Sequence, residues 1–409
     1  MMFEIKQVQL KELLSEPTRN GLTKPKAIRG QGVPMIAMGE VFANNRIYSI
    51  QMERVPVTDK ELLTSSIYDN DLLFARQSLV LEGAGKCCIV KEVNEPTVFE
   101  SHLIRVRVDK TKALPDYIYY YFNSYQGREN IKTIVEQVAA AGIRGSDLVN
   151  LYIPIPLVTV QQQIVQVLMN IDDKIAVNTA INENLEQQIQ AILLNMIQQD
   201  SKKDSIETVK LGEYLYIKGR IGWKGLKKDE YLDSSDYRII NGESLTKDGI
   251  DWNKAGFISK ERYDESPEIM LQVGDILLSK DGTIGKIGYV DNLDSPSTVA
   301  SGIFVIRNIK PNIISTQFIY YLLKSKLFSA FIASRTEGSV IPHLYQKDFM
   351  EFAFPLPNAD EMSQFDALTS PLFATIIKNL RENEFLTATR DALLPKLMSG
   401  EIDVSAVKI

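Results

Sequence analysis

IVQVLMNIDDKIAVNTAINENLEQQIQAILLNM, residues 164–196, decides the fold. Its seam steps by four and three without a slip through Ile164, Leu168, Ile171, Ile175, Asn178, Asn182, Leu185, Ile189, Ile192 and Met196. That is the a/d pattern of a coiled-coil helix, with two amides at its middle. The ladder returns at Phe365, Thr369, Leu372, Ile376, Asn379, Asn383, Leu386, Arg390, Leu393 and Leu397, with the asparagines on the same rungs 201 positions on. Thr369 and Arg390 make the second seam less apolar. The asparagines lie at the centre of each ladder, so antiparallel pairing brings Asn178 and Asn182 opposite Asn383 and Asn379. A polar layer costs stability, but it penalises every register that buries an amide against an apolar layer. Each ladder spans 33 residues, which at a rise of 1.5 Å makes a rod roughly 50 Å long.

Outward from the ladders, the repeat covers nearly the whole chain at an offset of 200 to 204. Val8-Gln9-Leu10-Lys11-Glu12 answers Val209-Lys210-Leu211-Gly212-Glu213, and Arg19-Asn20-Gly21 answers Arg220-Ile221-Gly222. Asp71-Leu72-Leu73 answers Asp275-Ile276-Leu277, Gly85-Lys86 answers Gly285-Lys286, and Tyr117-Ile118-Tyr119-Tyr120 answers Phe318-Ile319-Tyr320-Tyr321. Pro154-Ile155-Pro156 and Pro355-Leu356-Pro357 end the two blocks. Alternate prolines stop both a helix and a central strand and make stiff, extended joints. The economical reading is a tandem duplication of one globular block plus one long helix. It gives an α+β chain: a block at 1–156, a helix at 157–200, a second block at 205–357, and a helix at 358–400 that pairs with the first. Within the blocks, short strands are expected at 47–50, 87–90 and 103–108, and at 238–240, 286–290 and 303–306. Helices are expected at 116–125 and 316–328. Asp71 and Asp275 read as caps of turns before buried strands.

Composition narrows the function. The chain has 409 residues, 44% hydrophobic and 24% charged, as in ordinary water-soluble proteins of two or three domains. The two cysteines, Cys87 and Cys88, are adjacent, so neither a disulfide scaffold nor a structural zinc site is indicated. No apolar leader and no run of 18 apolar residues occurs, so a cytoplasmic protein without a membrane span is expected. The net charge of −6 is unevenly placed. The blocks are balanced, with 19 basic and 18 acidic residues in 1–156 and 19 and 20 in 205–357; the excess acid lies in the helical segments.

The sequence carries no evident catalytic constellation. Gly83-Ala84-Gly85-Lys86 and Asp281-Gly282-Thr283-Ile284-Gly285-Lys286 lack the spacing and the Ser/Thr of a phosphate loop, and read as turns before strands. Two histidines, His102 and His343, stand in different halves at unmatched positions, which leaves little room for a triad or a His-rich metal site. The Asn/Asp-Pro-Pro-aromatic tetrapeptide of adenine methyltransferases is absent.

What remains suits a polyanion. The segment 218–228 holds Lys218, Arg220, Lys224, Lys227 and Lys228 with three glycines and Trp223. Its counterpart holds Arg19, Lys24, Lys26 and Arg29. Glycines let backbone amides approach a phosphate, and the cations release counterions. A second loop pair carries Arg144 and Ser146 in one half and Arg335, Ser339, His343 and Tyr345 in the other. These are base-edge or phosphate donors, with a tyrosine able to stack. The competing reading is solvated turn chemistry from Gly, Ser and Pro.

The duplicated plan, with alike helices and unlike blocks, resembles the specificity subunit of a Type I restriction–modification system. Asp275-Ile276-Leu277-Leu278-Ser279, Gly285-Lys286-Ile287-Gly288, the Pro-x-Pro exits and Leu393-Leu394-Pro395-Lys396-Leu397-Met398-Ser399-Gly400-Glu401-Ile402 carry the resemblance. It implies that each block is a target recognition domain reading half of a split site in double-stranded DNA. It also implies that the antiparallel helices set the gap and dock two modification (methyltransferase) subunits. On that reading the chain is non-catalytic by itself, with catalytic residues and metal ligands: none. S-adenosylmethionine, ATP and magnesium belong to the modification subunits and to restriction (motor/nuclease) subunits. The alternatives are the recognition subunit of a two-chain restriction enzyme outside Type I, a coiled-coil adaptor that binds protein, and a hidden nuclease.

Overall fold

The computed structural model describes residues 4–137, 141–200, 208–220, 225–246, 249–336, 343–402 and 404. The chain divides into two compact units, Met1–Val177 with Glu382–Ile409, and Asn178–Arg381. The long helices run Val158–Asp200 and Ala359–Ser399, so each gives one half to each unit.

Unit 1 is built on a five-stranded sheet in the order Arg19–Asn20, Leu103–Val106, Leu72–Ala75, Cys87–Val90, Arg46–Ile47. Its neighbours are antiparallel except the last pair. The helix Pro115–Asn123 buries Tyr117, Ile118, Tyr120 and Phe122, and the same core continues into Ile164 and Leu168 of the first long helix and Leu394 and Leu397 of the second. The start of one helix therefore meets the end of the other, which is antiparallel pairing. Arg390, the charge on the second seam, is answered there by Asp172 of the facing helix at 2.9 Å. Asp172 also accepts from Arg46 at 3.0 Å and from the Tyr120 hydroxyl at 2.7 Å.

Unit 2 repeats the plan. Its four-stranded sheet runs Leu215–Gly219, Ile303–Asn308, Ile276–Ser279, Ile287–Tyr289. Ile189 and Leu193 share a core with Met362, Phe365 and Ile376, again end against start. Asn379 Nδ2 donates to Asn182 Oδ1 at 2.8 Å, and Asn182 Nδ2 to the Ile376 carbonyl at 3.3 Å. The expected amide layer is thus present at this rung; Asn178 is buried in unit 2 and Asn383 half-buried in unit 1. Thr369, also on the seam, is fully buried and satisfied: its hydroxyl donates to the Phe365 carbonyl at 2.8 Å and accepts from Gln317 at 2.9 Å.

The repeat holds at the level of strand register. Leu103 opposes Ala75 and Ile104 opposes Phe74; Ile303 opposes Ser279 and Phe304 opposes Leu278. A parallel pair recurs as Ile36 against Phe99 and Ile240 against Val299. The Pro-x-Pro segments form strands at Tyr152–Ile155 and Ala353–Pro355, each paired, among the described residues, with the block's first strand alone: Val8 against Ile153, Val209 against Phe354. A two-stranded pair tolerates the missing amide of proline.

Three expectations are corrected. Arg19 opposes Arg105 and Lys218 opposes Val305, so Lys218, not Arg220, stands where Arg19 does. The expected helix at 316–328 is broken at Ser325, whose Oγ accepts the Phe328 amide at 3.3 Å and starts a second helix; Ser124 does the same with Gly127 at 3.1 Å. Of the expected strand at 47–50 only Ile47 is paired, through Arg46–Ile47.

Candidate nucleic-acid interface

In each unit the loops that enter and leave one end of the main sheet carry the candidate residues. Arg19 lies exposed on its short strand, and Lys26 is exposed on the 3-10 turn Lys26–Ile28. Gly21, which follows Arg19-Asn20, lets this loop cross the strand Val98–Phe99: a Cβ there would stand 2.0 Å from the Phe99 carbonyl oxygen. Lys24 and Arg29 are occupied. Lys24 donates to Glu61 at 2.8 and 3.0 Å, and this bond with that of the Thr58 amide holds the Glu61 carboxyl down to about 2. Arg29 donates to the Lys24 carbonyl at 2.9 Å and to Glu53 at 2.8 Å. Both side chains shape the loop that Arg19 and Lys26 present.

In unit 2, Lys218 is exposed with its ammonium 5.8 Å from the Tyr216 ring, and Lys227 is exposed on the approach to the turn Lys228–Glu230. Arg220 instead is 2% exposed, donating to the Val299 carbonyl at 3.1 Å. Burial, and then Arg262, push its guanidinium pKa down. It ties the loop to the body and is closed to a phosphate in this arrangement. Lys224 and Ser339 lie outside the described residues. Arg335 is exposed at the end of the helix Lys326–Thr336, its guanidinium 5.3 Å from the Phe331 ring.

The second loop pair comes to the same end of each sheet. The Ile143 amide donates to the Arg76 carbonyl at 2.9 Å, and the Leu344 amide to the Lys280 carbonyl at 3.0 Å. Arg144 follows, bonded to Glu136 at 2.7 Å yet 65% exposed; Tyr345 follows in the other half, 56% exposed. Ser146 is exposed beside Asp147, its hydroxyl 3.3 Å from that carboxylate. His343 bonds Asp281, and its ring stands 4.5 Å from that of Tyr345. Arg76, Gln77, His102, Lys280 and Asp281 join these corners; none is a candidate from sequence, where His102 reads as an isolated histidine and Asp281 as part of a turn. The offset of 204 that aligns Asp71 with Asp275 also aligns Arg76-Gln77 with Lys280-Asp281, and is the signal for them.

The two glycine-lysine turns are structural. Gly85 and Gly285 hold φ of 67° and 93°, a region that suits glycine. Lys86 and Lys286 each donate to a backbone carbonyl, of Phe42 at 2.7 Å and of Gly242 at 2.9 Å. Among the described residues no group of three or more His, Cys, Asp and Glu is placed to hold a metal ion, and no helix is long and apolar enough to cross a membrane.

Fold and loops define a class: a duplicated recognition protein, in which two related α+β units each carry a polar, cation-bearing loop corner and each close on an antiparallel pair of half-helices. The chain belongs to the Type I restriction modification DNA specificity domain family, which it matches twice, at residues 3–187 and 203–383. It is 25% identical over 398 residues to the Type I restriction enzyme MjaIX specificity subunit of Methanocaldococcus jannaschii, across 93% of this chain and 89% of that one. The MjaVIII specificity subunit of the same organism is 23% identical over 379 residues, across 86% and 82%. The fold is that of the crystal structure of a Type I restriction–modification S subunit from M. genitalium, with a TM-score of 0.56 and 17% identity over 97% of this chain and 96% of that one.

Proposed function

We propose that this specificity subunit reads a two-part site in double-stranded DNA, one part with each unit. The observation that carries the reading is a common frame with different fittings. Strand register and the clamp of the second loop repeat between the units, while the exposed side chains at the corner do not: Arg144 stands where Tyr345 does, and Gln77 where Asp281 does. A duplicated scaffold with divergent hydrogen-bonding side chains suits a bipartite, asymmetric sequence, because scaffold and phosphate contacts position while side-chain donors and acceptors specify. Arg19, Lys26, Lys218, Lys227 and Arg335 supply exposed cations for the backbone.

The paired helices hold the gap between the parts and dock two modification subunits. Those subunits bind S-adenosylmethionine and transfer the methyl group, and restriction subunits use ATP and magnesium; no chemical step is assigned to this chain. The test is the methylome of the source cell with and without the gene for this chain. Loss of methylation at one bipartite motif supports the reading. An unchanged methylome, in cells whose modification subunits are expressed, overturns it.

A further inference from the structure

The residue after the central strand is clamped the same way in both units. The Arg76 amide donates to the His102 carbonyl at 2.8 Å while the Arg76 carbonyl accepts from Ile143 at 2.9 Å. The Lys280 amide donates to the Gly302 carbonyl at 2.9 Å while the Lys280 carbonyl accepts from Leu344 at 3.0 Å. Two loops therefore meet at each clamp, and histidine and glycine are exchanged between them. In unit 1 the first loop carries His102 and the second Gly142. In unit 2 the first carries Gly302 and the second His343. From either loop the imidazole lands on the residue after the clamp: His102 Nδ1 lies 3.0 Å from Gln77 Oε1, and His343 Nδ1 bonds Asp281 Oδ1. The glycine loop of unit 2 addresses the same residue, since a Cβ on Gly302 would stand 3.6 Å from the Asp281 Cβ.

We propose that His102 and His343 are base-reading residues, one for each half of the DNA site, mounted on one clamp from alternative loops. The proposal rests on the DNA-reading function above and names the side chains that set its specificity. With Nδ1 turned to an acceptor, Nε2 is the ring nitrogen left to meet a base edge; in the tautomer protonated at Nδ1 it accepts from the exocyclic amino group of adenine or cytosine in the major groove. His102 is exposed and the His343 side chain is 32% exposed, so both rings are open to a ligand. Gln77 and Asp281 act through the rings as positioning residues. Arg144 stands one residue past the clamp in unit 1, bonded to Glu136, and Lys280 stands inside it in unit 2, its ammonium 5.2 Å from the Phe304 ring.

The test uses the full-length chain with its copurifying subunits and a pool of duplexes randomised over the central positions, with the bound fraction sequenced. Wild type is expected to enrich two short sequences at a fixed gap. His102→Ala should lower discrimination about tenfold at one or two positions of one half and leave the other half intact; His343→Ala should do the converse. Gln77→Ala should relax the same position as His102→Ala, by less. A wild-type preference that survives both histidine variants overturns the proposal and leaves the functional reading standing. Loss of both halves from one variant with unchanged melting also overturns it. A wild-type complex that enriches no two-part sequence overturns the functional reading, and the assignment of the histidines with it.

Discussion

Asp71 and Asp275 anchor the central strand of each sheet from inside the protein. Each is 1% exposed. Asp71 accepts from the Tyr68 amide at 2.8 Å and from two guanidinium nitrogens of Arg107 at 2.7 Å. Asp275 accepts from the Gln272 amide at 2.7 Å and from Arg307 at 2.7 and 2.8 Å. The residue before each is left-handed, Asn70 at φ 73° and Gly274 at φ 94°. The turn role is legible from Asp-before-apolar-run; the arginine is not, because it stands 36 or 32 residues away, Arg107 just past the end of the neighbouring strand and Arg307 within it. Removing one member of a buried, bidentate pair strands the other, but Arg107 is 22% exposed and can rehydrate. Asp71→Ala and Asp275→Ala are each expected to cost about 3 kcal/mol, toward the lower end for broken buried pairs. Lys26→Ala, on the surface, should cost less than about 0.5 kcal/mol. Urea unfolding measures both, and hydrogen exchange should confine the added opening to the unit that carries the change. Aspartate variants as stable as the lysine variant would show that the pair is ornamental.

At the scale of elements, what the sequence reveals depends on whether a pattern is local. The long helices are legible because their seam is a periodicity, and periodicity survives low identity between the halves. Arg390 looks like a defect in that seam until Asp172 is seen opposite it, a partner 218 residues away. The breaks at Ser124 and Ser325 are hidden for another reason: the aromatic runs before them keep helical spacing, and a serine cap reads as one more polar residue in a helix. Of the histidine corners, His343, Tyr345 and Arg144 are legible as loop donors, but His102 and the clamp at Arg76 and Lys280 are not, because the corners assemble from three loops and the histidines are not at matched positions. The amide layer makes a test of element pairing. Asn182→Leu leaves the Asn379 amide, which bonds Asn182 at 2.8 Å, without its partner in an apolar seam. An unsatisfied buried polar group costs about 1–3 kcal/mol. The double variant Asn182→Leu/Asn379→Leu removes both amides and should recover that loss, at the expense of a unique register. Thermal melting should rank the single variant below both wild type and the double. Cysteine cross-linking along the helices should show slipped pairings only in the double. A double variant as unstable as the single one would mean that the asparagines do not act on each other.

At the scale of the molecule, duplication without identity has a functional consequence. Each unit has its own sheet, its own helix pair and its own buried core, each core built from described residues of that unit. The loop corners belong to their units: among the described residues, the backbone hydrogen bonds that frame Arg76 and Lys280 come from the same side of the division. Sequence preference should then be modular. Replacing residues 1–156 by the corresponding block of another family member should change one half of the recognised DNA sequence and keep the other half and the gap between them. The exchange must preserve the junctions that this block makes with the helices, chiefly Arg46 and Tyr120 on Asp172 and the apolar seat of Ile164 and Leu168. A graft that loses those contacts would unfold its unit and report nothing about reading. With Arg46 and Tyr120 retained, methylome sequencing of cells carrying the chimaera is expected to show a motif with one new half, the old second half and the old spacing. A motif changed in both halves would mean that the units do not read independently. A motif changed in spacing alone would place the ruler inside the exchanged block instead of in the helices.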